Sequence, residues 1–369
     1  MLIGGFQEID IESVLKESPD ISSDIKLRFD KKNIYKNKKY FNTGRTASIF
    51  LYKYCNDFKE GDTILLPDYL CLTLITALEE AKMKYEFYKI NRNLEIDLDD
   101  LKNKINPRIK GIYITHFFGV PVREKVSNYL KDIRKKQSIR IIEDITQTHY
   151  SEEECMGFGD YIICSLRKWM PVTDGGLLAA EENIKFDNVK VEDGYNEASY
   201  YQLLITCFRQ YFNKNPQKNS FDYNRLEKNA NKKRYEELKM RSMTSISKKI
   251  MLNLDENSLI QKRKENYSFL YENLKHNKNI VILSKEIDTN SKNVPFGFLI
   301  LVENRDHFYN YLIKNNIIGE VQWILPLEYY VPGDDALYLS KHNLMIHCDQ
   351  RYGLDEMKYV VKIINDFFK

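Results

Sequence analysis

From Thr63 to Ala180 the chain repeats one pattern, a short apolar run followed by a polar turn and, between most runs, a stretch with helical spacing. The runs are Thr63–Pro67, Lys84–Ile90, Gly111–Thr115, Ile139–Glu143, Tyr161–Ser165 and Gly176–Ala180, each five to seven residues long. Their isoleucine, tyrosine and phenylalanine content suits strands. Leu72–Lys82, Leu98–Ile105 and Glu124–Gln137 carry apolar residues at helical spacing. A further helix opens at Thr43-Gly44-Arg45-Thr46-Ala47-Ser48, with Ile49, Phe50, Leu51 and Tyr54 behind it. Parallel strands need crossover connections, so this alternation predicts an α/β fold with a mostly parallel sheet covered on both faces. In such sheets ligands sit beyond the carboxyl ends of the strands.

The flanking segments read differently. Residues 1–40 are polar and mixed, and are expected to form an N-terminal arm with a short helix. From Lys185 to Lys249 the spacing becomes helical and the charge dense, as in NRLEKNANKKRYEELKMR, the pattern of a solvated helical face. Beyond it the spacing predicts a helix over Glu256–Lys275, a strand over Val294–Val302, a helix over Arg305–Lys314, a strand over Ile317–Trp323 and a closing helix over Leu354–Phe368. The chain therefore divides into a large domain, 1–250, with the arm and the helical segment 185–250, and a small C-terminal α/β domain, 251–369.

Composition narrows the function. Hydrophobic content of 43% supports packed cores. A balance of 56 basic against 53 acidic residues gives no electrostatic reason for a nucleic-acid partner. The opening MLIGGFQEIDIESVLKES lacks a basic start, a long apolar region and a small-residue cleavage site, and no apolar run is long enough to span a bilayer. No membrane association and a cytoplasmic location are expected. The six cysteines and six histidines are dispersed without zinc-ligand spacing, so no metal site is expected.

One group of residues carries chemistry. The run Tyr161-Ile162-Ile163-Cys164-Ser165 leads into Leu166-Arg167-Lys168 and then, a few residues on, Gly175-Gly176. The preceding strand ends in Glu143-Asp144, with Gln147 just beyond. A strand-end carboxylate, a strand-end Ser-x-x-Lys and a glycine pair suit pyridoxal phosphate. Lys168 would hold the cofactor aldehyde as a Schiff base and move protons. Asp144 would face the pyridine nitrogen and keep it protonated. The phosphate would take the helix N-terminus at Gly44, Arg45 and Thr46, with Ser165 adding a hydroxyl. Tyr69 or Cys71 would lie against the cofactor ring and Gln147 would reach its phenolic oxygen, with His116 a further strand-end candidate.

These segments resemble the DegT/StrS-type sugar aminotransferases, which are fold-type I pyridoxal-phosphate enzymes. TGRTAS resembles the family's Gly-Thr-x-Ala phosphate turn, GDTILLPDYLC its GDEVIVP strand, and ITHFFGVPV its VHxxGxP segment. IIEDITQTH resembles EDAAQxxG, in which Asp144 and Gln147 match the residues facing the pyridine nitrogen and the phenolic oxygen. MGFGDYIICSLRKWMPVTDGG resembles the lysine segment, while VQWILPL and MIHCDQRYGLDEMKYVVKIINDF resemble the substrate-side strand and terminal helix. The chain departs from the pattern in four places. Ser165 and Lys168 stand two residues closer than usual, Arg45 replaces a threonine, Cys71 falls nearest the usual stacking aromatic, and Lys185–Arg241 lacks a close NxRM match.

The resemblance implies a large domain with a mostly parallel seven-stranded sheet and a smaller C-terminal domain. It implies transfer of an amino group from a donor, by analogy glutamate, to a keto acceptor, by analogy a keto sugar nucleotide of surface-glycan or secondary-metabolite biosynthesis. Lysine at 168, where dehydrating relatives carry histidine, implies transamination. A small non-nucleotide keto substrate, or cofactor binding without transaminase activity, are the alternatives. The resemblance also implies a homodimer with shared active sites, Arg241 being a candidate for reaching the neighbouring site. Glu320, Trp323 and His347 are candidates for facing the substrate.

Overall fold

The computed structural model of the chain describes residues 2–5, 7–8, 24–136, 138–187, 189–192, 195–214, 223–283 and 291–369. Among these, seven strands form one sheet: β1 (Asn37–Phe41), β2 (Thr63–Pro67), β3 (Lys84–Tyr88), β4 (Ile109–Thr115), β5 (Arg140–Asp144), β6 (Tyr161–Ser165) and β7 (Gly176–Ala180). Their order is β1-β7-β6-β5-β4-β2-β3. The pairs β6/β5, β5/β4, β4/β2 and β2/β3 are parallel, and β7 runs antiparallel to both neighbours. Strand β1 falls at the end of the segment expected to be an arm. Its sequence, NKKYF, buries only Phe41, as an edge strand can, so it carries no apolar run to betray it. The short helix expected in 1–40 has no counterpart in residues 24–36, and residues 9–23 lie outside the described ones.

Strand alternation sorts the side chains onto two faces. Ile64, Leu66, Tyr113, Ile142, Tyr161, Ile163 and Leu178 pack with Ala47, Phe50 and Leu51 of α1 (Gly44–Tyr54) and Leu74, Ile75 and Leu78 of α2 (Leu72–Glu80). Leu65, Ile112, Ile114, Ile141, Ile162 and Leu177 pack with Leu98 and Leu101 of α3 (Leu98–Lys104) and Val126, Leu130 and Ile133 of α4 (Glu124–Lys136). Both faces are thus dry, which is why these strands read as nearly continuous apolar runs.

The charged middle segment holds α5 (Glu197–Lys214), α6 (Tyr223–Glu236) and α7 (Ser245–Leu252), followed by the long α8 (Glu256–Leu274). The rest of the chain forms an antiparallel sheet of β8 (Val281–Ile282), β9 (Phe298–Leu301) and β10 (Asn343–Ile346) with α9 (Arg305–Lys314), α10 (Asp334–His342) and α11 (Leu354–Phe367). Its core joins Tyr267 and Leu270 of α8, Phe298 and Ile300, Phe308 and Leu312, Leu344 and Ile346, and Val360 and Ile364. The strand expected over Val294–Val302 is shorter. The one expected over Ile317–Trp323 is absent: this segment makes single bridges at Ile317 and Glu320 and then leaves the sheet. The amide of Gln322 instead bonds the side chain of Asn343 at 2.8 Å, which ends the ladder. No helix among the described residues is long and apolar enough to cross a membrane.

Candidate active site

Strands β5 and β6 end side by side, at Asp144 and Ser165, and a single 3₁₀ turn, Leu166–Lys168, follows at once. The turn is tied down on both sides. The amide of Leu166 bonds the Gly175 carbonyl at 3.0 Å, and the Trp169 indole N–H bonds the Thr146 carbonyl at 2.7 Å. Trp169 itself is fully buried, with the Arg263 guanidinium 4.5 Å above its ring. Lys168 therefore leaves a rigid support and enters a cavity of about 580 Å³. The same cavity is lined by Gly44, Arg45, Cys71, Asp144, Gln147, Ser165, Glu320, Trp323 and His347, all expected from sequence.

Asp144 is braced on both oxygens. Thr146 N–H donates to Oδ1 at 2.8 Å and the Tyr113 hydroxyl to Oδ2 at 2.9 Å. Burial raises its pKa above the ordinary aspartate range, against the lowering effect of these hydrogen bonds. A half-buried carboxylate of this kind, facing the cavity, is poised to gain from a cationic partner. Nearby, the buried Tyr52 hydroxyl has no hydrogen-bond partner among the described residues.

Lys168 Nζ lies 3.5 Å from Glu320 Oε2. Burial alone would raise the Glu320 pKa, but Lys168, His347, a hydrogen bond from Gln322 and Arg167 hold it at about 2. A chain of amides continues from there. Gln322 Nε2 donates to Glu320 at 2.6 Å, Gln147 Nε2 donates to Gln322 Oε1 at 2.6 Å, and Phe118 N–H donates to Gln147 Oε1 at 2.8 Å. On the other side His347 stands 3.7 Å from Glu320 and 3.4 Å from Asp349, which Arg351 grips through two bonds of 2.8 and 2.7 Å.

The start of α1 forms the third wall. Thr43 caps it, accepting from Thr46 N–H at 3.1 Å, while Thr46 Oγ1 accepts from Thr43 N–H at 3.1 Å. The amides of Gly44 and Arg45 have no partner among the described residues, and the helix dipole adds to their pull on an anion. A Cβ on Gly44 would come within 3.3 Å of Ser165 Cβ, so glycine keeps this cradle open beside the serine. The glycine pair has a separate role. A Cβ on Gly176 would sit 2.0 Å from the Thr43 carbonyl oxygen, so only glycine lets the helix start lie against β7.

Four expected residues do not line the cavity. Thr46 is spent in the capping box. Tyr69 is fully buried and donates its hydroxyl to the Gln322 carbonyl, packing 5.5 Å from the Trp323 ring, so it supports the loop instead of facing a ligand. His116 accepts from Val122 N–H on Nδ1 at 3.1 Å and so donates from Nε2 to Glu143 at 3.0 Å. Glu143 in turn caps the amides of Gly157, Phe158 and Gly159. Arg241 pairs with Glu192 at 3.0 Å outside the cavity. Arg45 does line it, but its guanidinium turns to the carbonyls of Arg234, Tyr235 and Glu237 at the end of α6.

Sequence reasoning missed Thr146, Gln322, Arg167 and Arg234 as lining residues. Arg167 stood next to Lys168 and could have been found there; Arg234 lay in a charge-dense helix and gave no signal.

Pyridoxal phosphate matches this donor set. An amine, a half-buried carboxylate with no close cationic partner among the described residues, and an anion cradle held open at Gly44 face one space. The DegT/DnrJ/EryC1/StrS aminotransferase family model matches residues 41–364. The chain belongs to this family. One relative, the dTDP-4-dehydro-2,3,6-trideoxy-D-glucose 4-aminotransferase of Saccharopolyspora spinosa, is 26% identical over 149 residues, and the match spans 39% of this chain and 38% of the relative's length. Solved structures show the same fold over nearly the whole chain. Helicobacter pylori PseC, an aminotransferase involved in pseudoaminic acid biosynthesis, aligns with a TM-score of 0.66 at 16% identity, covering 99% of both chains. The E. coli GDP-4-keto-6-deoxy-D-mannose-3-dehydratase, with bound hydrated pyridoxal phosphate, aligns with a TM-score of 0.65 at 16% identity, covering 99% of this chain and all of the other. The chain is thus a DegT-family protein with a fold-type I large sheet.

Proposed function

We propose that this DegT-family chain is a pyridoxal-phosphate-dependent aminotransferase that moves an amino group from a donor such as glutamate to a keto sugar nucleotide. The observation that carries this reading is the convergence of Lys168, Asp144 and the cradle of Gly44 and Ser165 on one cavity. When bound, pyridoxal phosphate supplies an electron sink for the substrate carbon. Lys168 holds the cofactor covalently and moves the proton, Asp144 keeps the ring nitrogen charged, and the start of α1 with Ser165 binds the phosphate. Gln147, with one amide N–H beyond its bond to Gln322, would donate to the phenolic oxygen. Glu320 anchors the lysine amine, and Trp323 and His347 line the substrate side.

The acceptor class draws on the relatives, whose names specify dTDP-linked and GDP-linked keto sugars. Lysine at 168 supports transamination over dehydration. A homodimer with shared active sites, residence in the cytoplasm, and a division between lobes near residue 250 belong to the same reading.

The test is direct. Purified protein is mixed with pyridoxal phosphate, reduced with borohydride and mapped by mass spectrometry, which should locate the cofactor on Lys168. Glutamate should bleach the visible absorbance band, and a keto sugar nucleotide should restore it. A band that ignores every amino donor would leave a cofactor-binding protein without transaminase activity.

A further inference from the structure

Two cavity-lining cations are not needed by the cofactor set above. Arg167 enters from the turn before Lys168, and Arg234 from the last turn of α6. Arg234 is aimed by two amide oxygens, Asn231 Oδ1 and Gln202 Oε1, each at 2.8 Å. Arg167 makes no hydrogen bond or close ion pair with any described residue. The carboxylate that most influences it, Glu320, is already engaged by Lys168, Gln322 and His347. Burial depresses the pKa of both guanidiniums, and the two repel one another. Holding two half-buried cations in one cavity carries a cost that an anion between them would offset. A guanidinium presents a planar fork of donors that matches the paired oxygens of carboxylate or phosphate.

The position of Arg167 indicates which anion is meant. The cofactor cradle already has its own donors in the Gly44 and Arg45 amides and Ser165. Arg167 instead shares the turn that carries Lys168 and lines the cavity with Glu320, which lies 3.5 Å from the Lys168 amine where substrate must arrive. The third arginine, Arg45, has its guanidinium on the carbonyls at the end of α6, the Arg234 carbonyl among them.

We propose that Arg167 and Arg234 form a two-guanidinium site for an oxyanion carried by the substrate, either a carboxylate of the amino donor or the diphosphate of a nucleotide-linked acceptor. This rests on the aminotransferase reading and adds to it the residues that receive the substrate's charge.

The test uses protein loaded with pyridoxal phosphate and two unreactive probes, glutarate for a dicarboxylate and inorganic pyrophosphate for a diphosphate, each titrated by calorimetry. Cofactor affinity is measured in parallel by absorbance. Arg167→Gln removes no hydrogen bond to a described residue, so it should fold; Arg234→Gln is the second variant. Each should weaken one probe by about tenfold or more while cofactor affinity stays unchanged. The probe that weakens identifies the donor or the acceptor as the source of the anion. Wild-type protein that binds neither probe, or variants that bind both as well as wild type, would overturn the proposal. A parallel loss of cofactor affinity would overturn it too, by assigning the arginines to the cofactor phosphate. Wild-type protein that takes up no cofactor at all would remove the aminotransferase reading itself.

Discussion

The ammonium nitrogen of Lys168 and the Oε2 of Glu320 stand 3.5 Å apart, although one follows the large sheet and the other leaves the small one. This contact joins the two sheets across the cavity. It also makes Glu320 the start of two hydrogen-bonded or ionic paths, one through Gln322 to Gln147 and one through His347 to Asp349. Movement of the 317–323 segment would therefore be felt at the lysine and at Gln147 together.

Replacing Lys168 with alanine should abolish covalent cofactor attachment while leaving measurable non-covalent binding at the cradle. Transamination should fall by roughly 10³-fold or more, since both the covalent link and the proton carrier are lost. Borohydride trapping with peptide mapping checks this; a modified lysine elsewhere in the chain would displace Lys168 from its role.

Asp144→Asn preserves the size of the side chain and can keep the bonds from Thr146 and Tyr113. Cofactor should still bind, but turnover should drop by roughly 10²- to 10³-fold because the pyridine nitrogen loses its charged partner. Steady-state rates beside cofactor titrations separate the two effects. Unchanged turnover would mean that the nitrogen is served by another group.

Glu320 makes the cofactor-free protein sensitive to acid. Its folded pKa, about 2, lies below the ordinary glutamate value of 4.5. Its contribution to stability is therefore complete above pH 4.5 and is lost as the pH falls toward 2. Asp144 runs the other way: its raised pKa means that protonation relieves a burial cost as the pH falls. Glu320→Gln should thus flatten the acid loss of stability relative to wild type, and Asp144→Asn should steepen it. Denaturant midpoints across this range are the measurement.

Gly176→Ala should disturb the cradle without touching any group that bears chemistry. The new methyl would meet the Thr43 carbonyl at 2.0 Å, and neither backbone can yield cheaply. A loss of about 1–3 kcal/mol in stability, with weakened cofactor binding, is expected. Thermal unfolding with and without cofactor measures both.

His116→Ala tests a residue that was a candidate for cofactor contact from its strand-end position. It should leave Glu143 short of one donor and cost about 1–3 kcal/mol of stability. The absorbance of bound cofactor should be unaltered, because His116 is packed away from the cavity. A shifted band would return it to the site.

The parallel core of the fold was legible because both faces of the sheet are buried, so each inner strand announces itself as an apolar run. Strand β1 was not, since an edge strand can be NKKYF and still pair. The strand expected over Ile317–Trp323 failed for a chemical reason: its polar residues Glu320 and Gln322 serve the cavity. In the site, Lys168, Asp144, Gln147 and Ser165 could be placed because they sit at strand ends in short segments. Tyr69 and His116 sit at strand ends as well, and only the side-chain direction, which sequence does not reveal, separates support from contact. Arg234 arrives from a helix far along the chain, and no local pattern connects it to Lys168.

Arg45 has one more consequence. Its backbone opens the anion cradle while its guanidinium clasps three carbonyls at the end of α6. The helical segment in which the sequence shows no close NxRM match is thereby bolted to the start of α1, which lines the cavity. A chimera that imports this segment from another family member would strand a buried guanidinium, and one that restores threonine at 45 would unhook the native helix. The two regions should be exchangeable only as a pair.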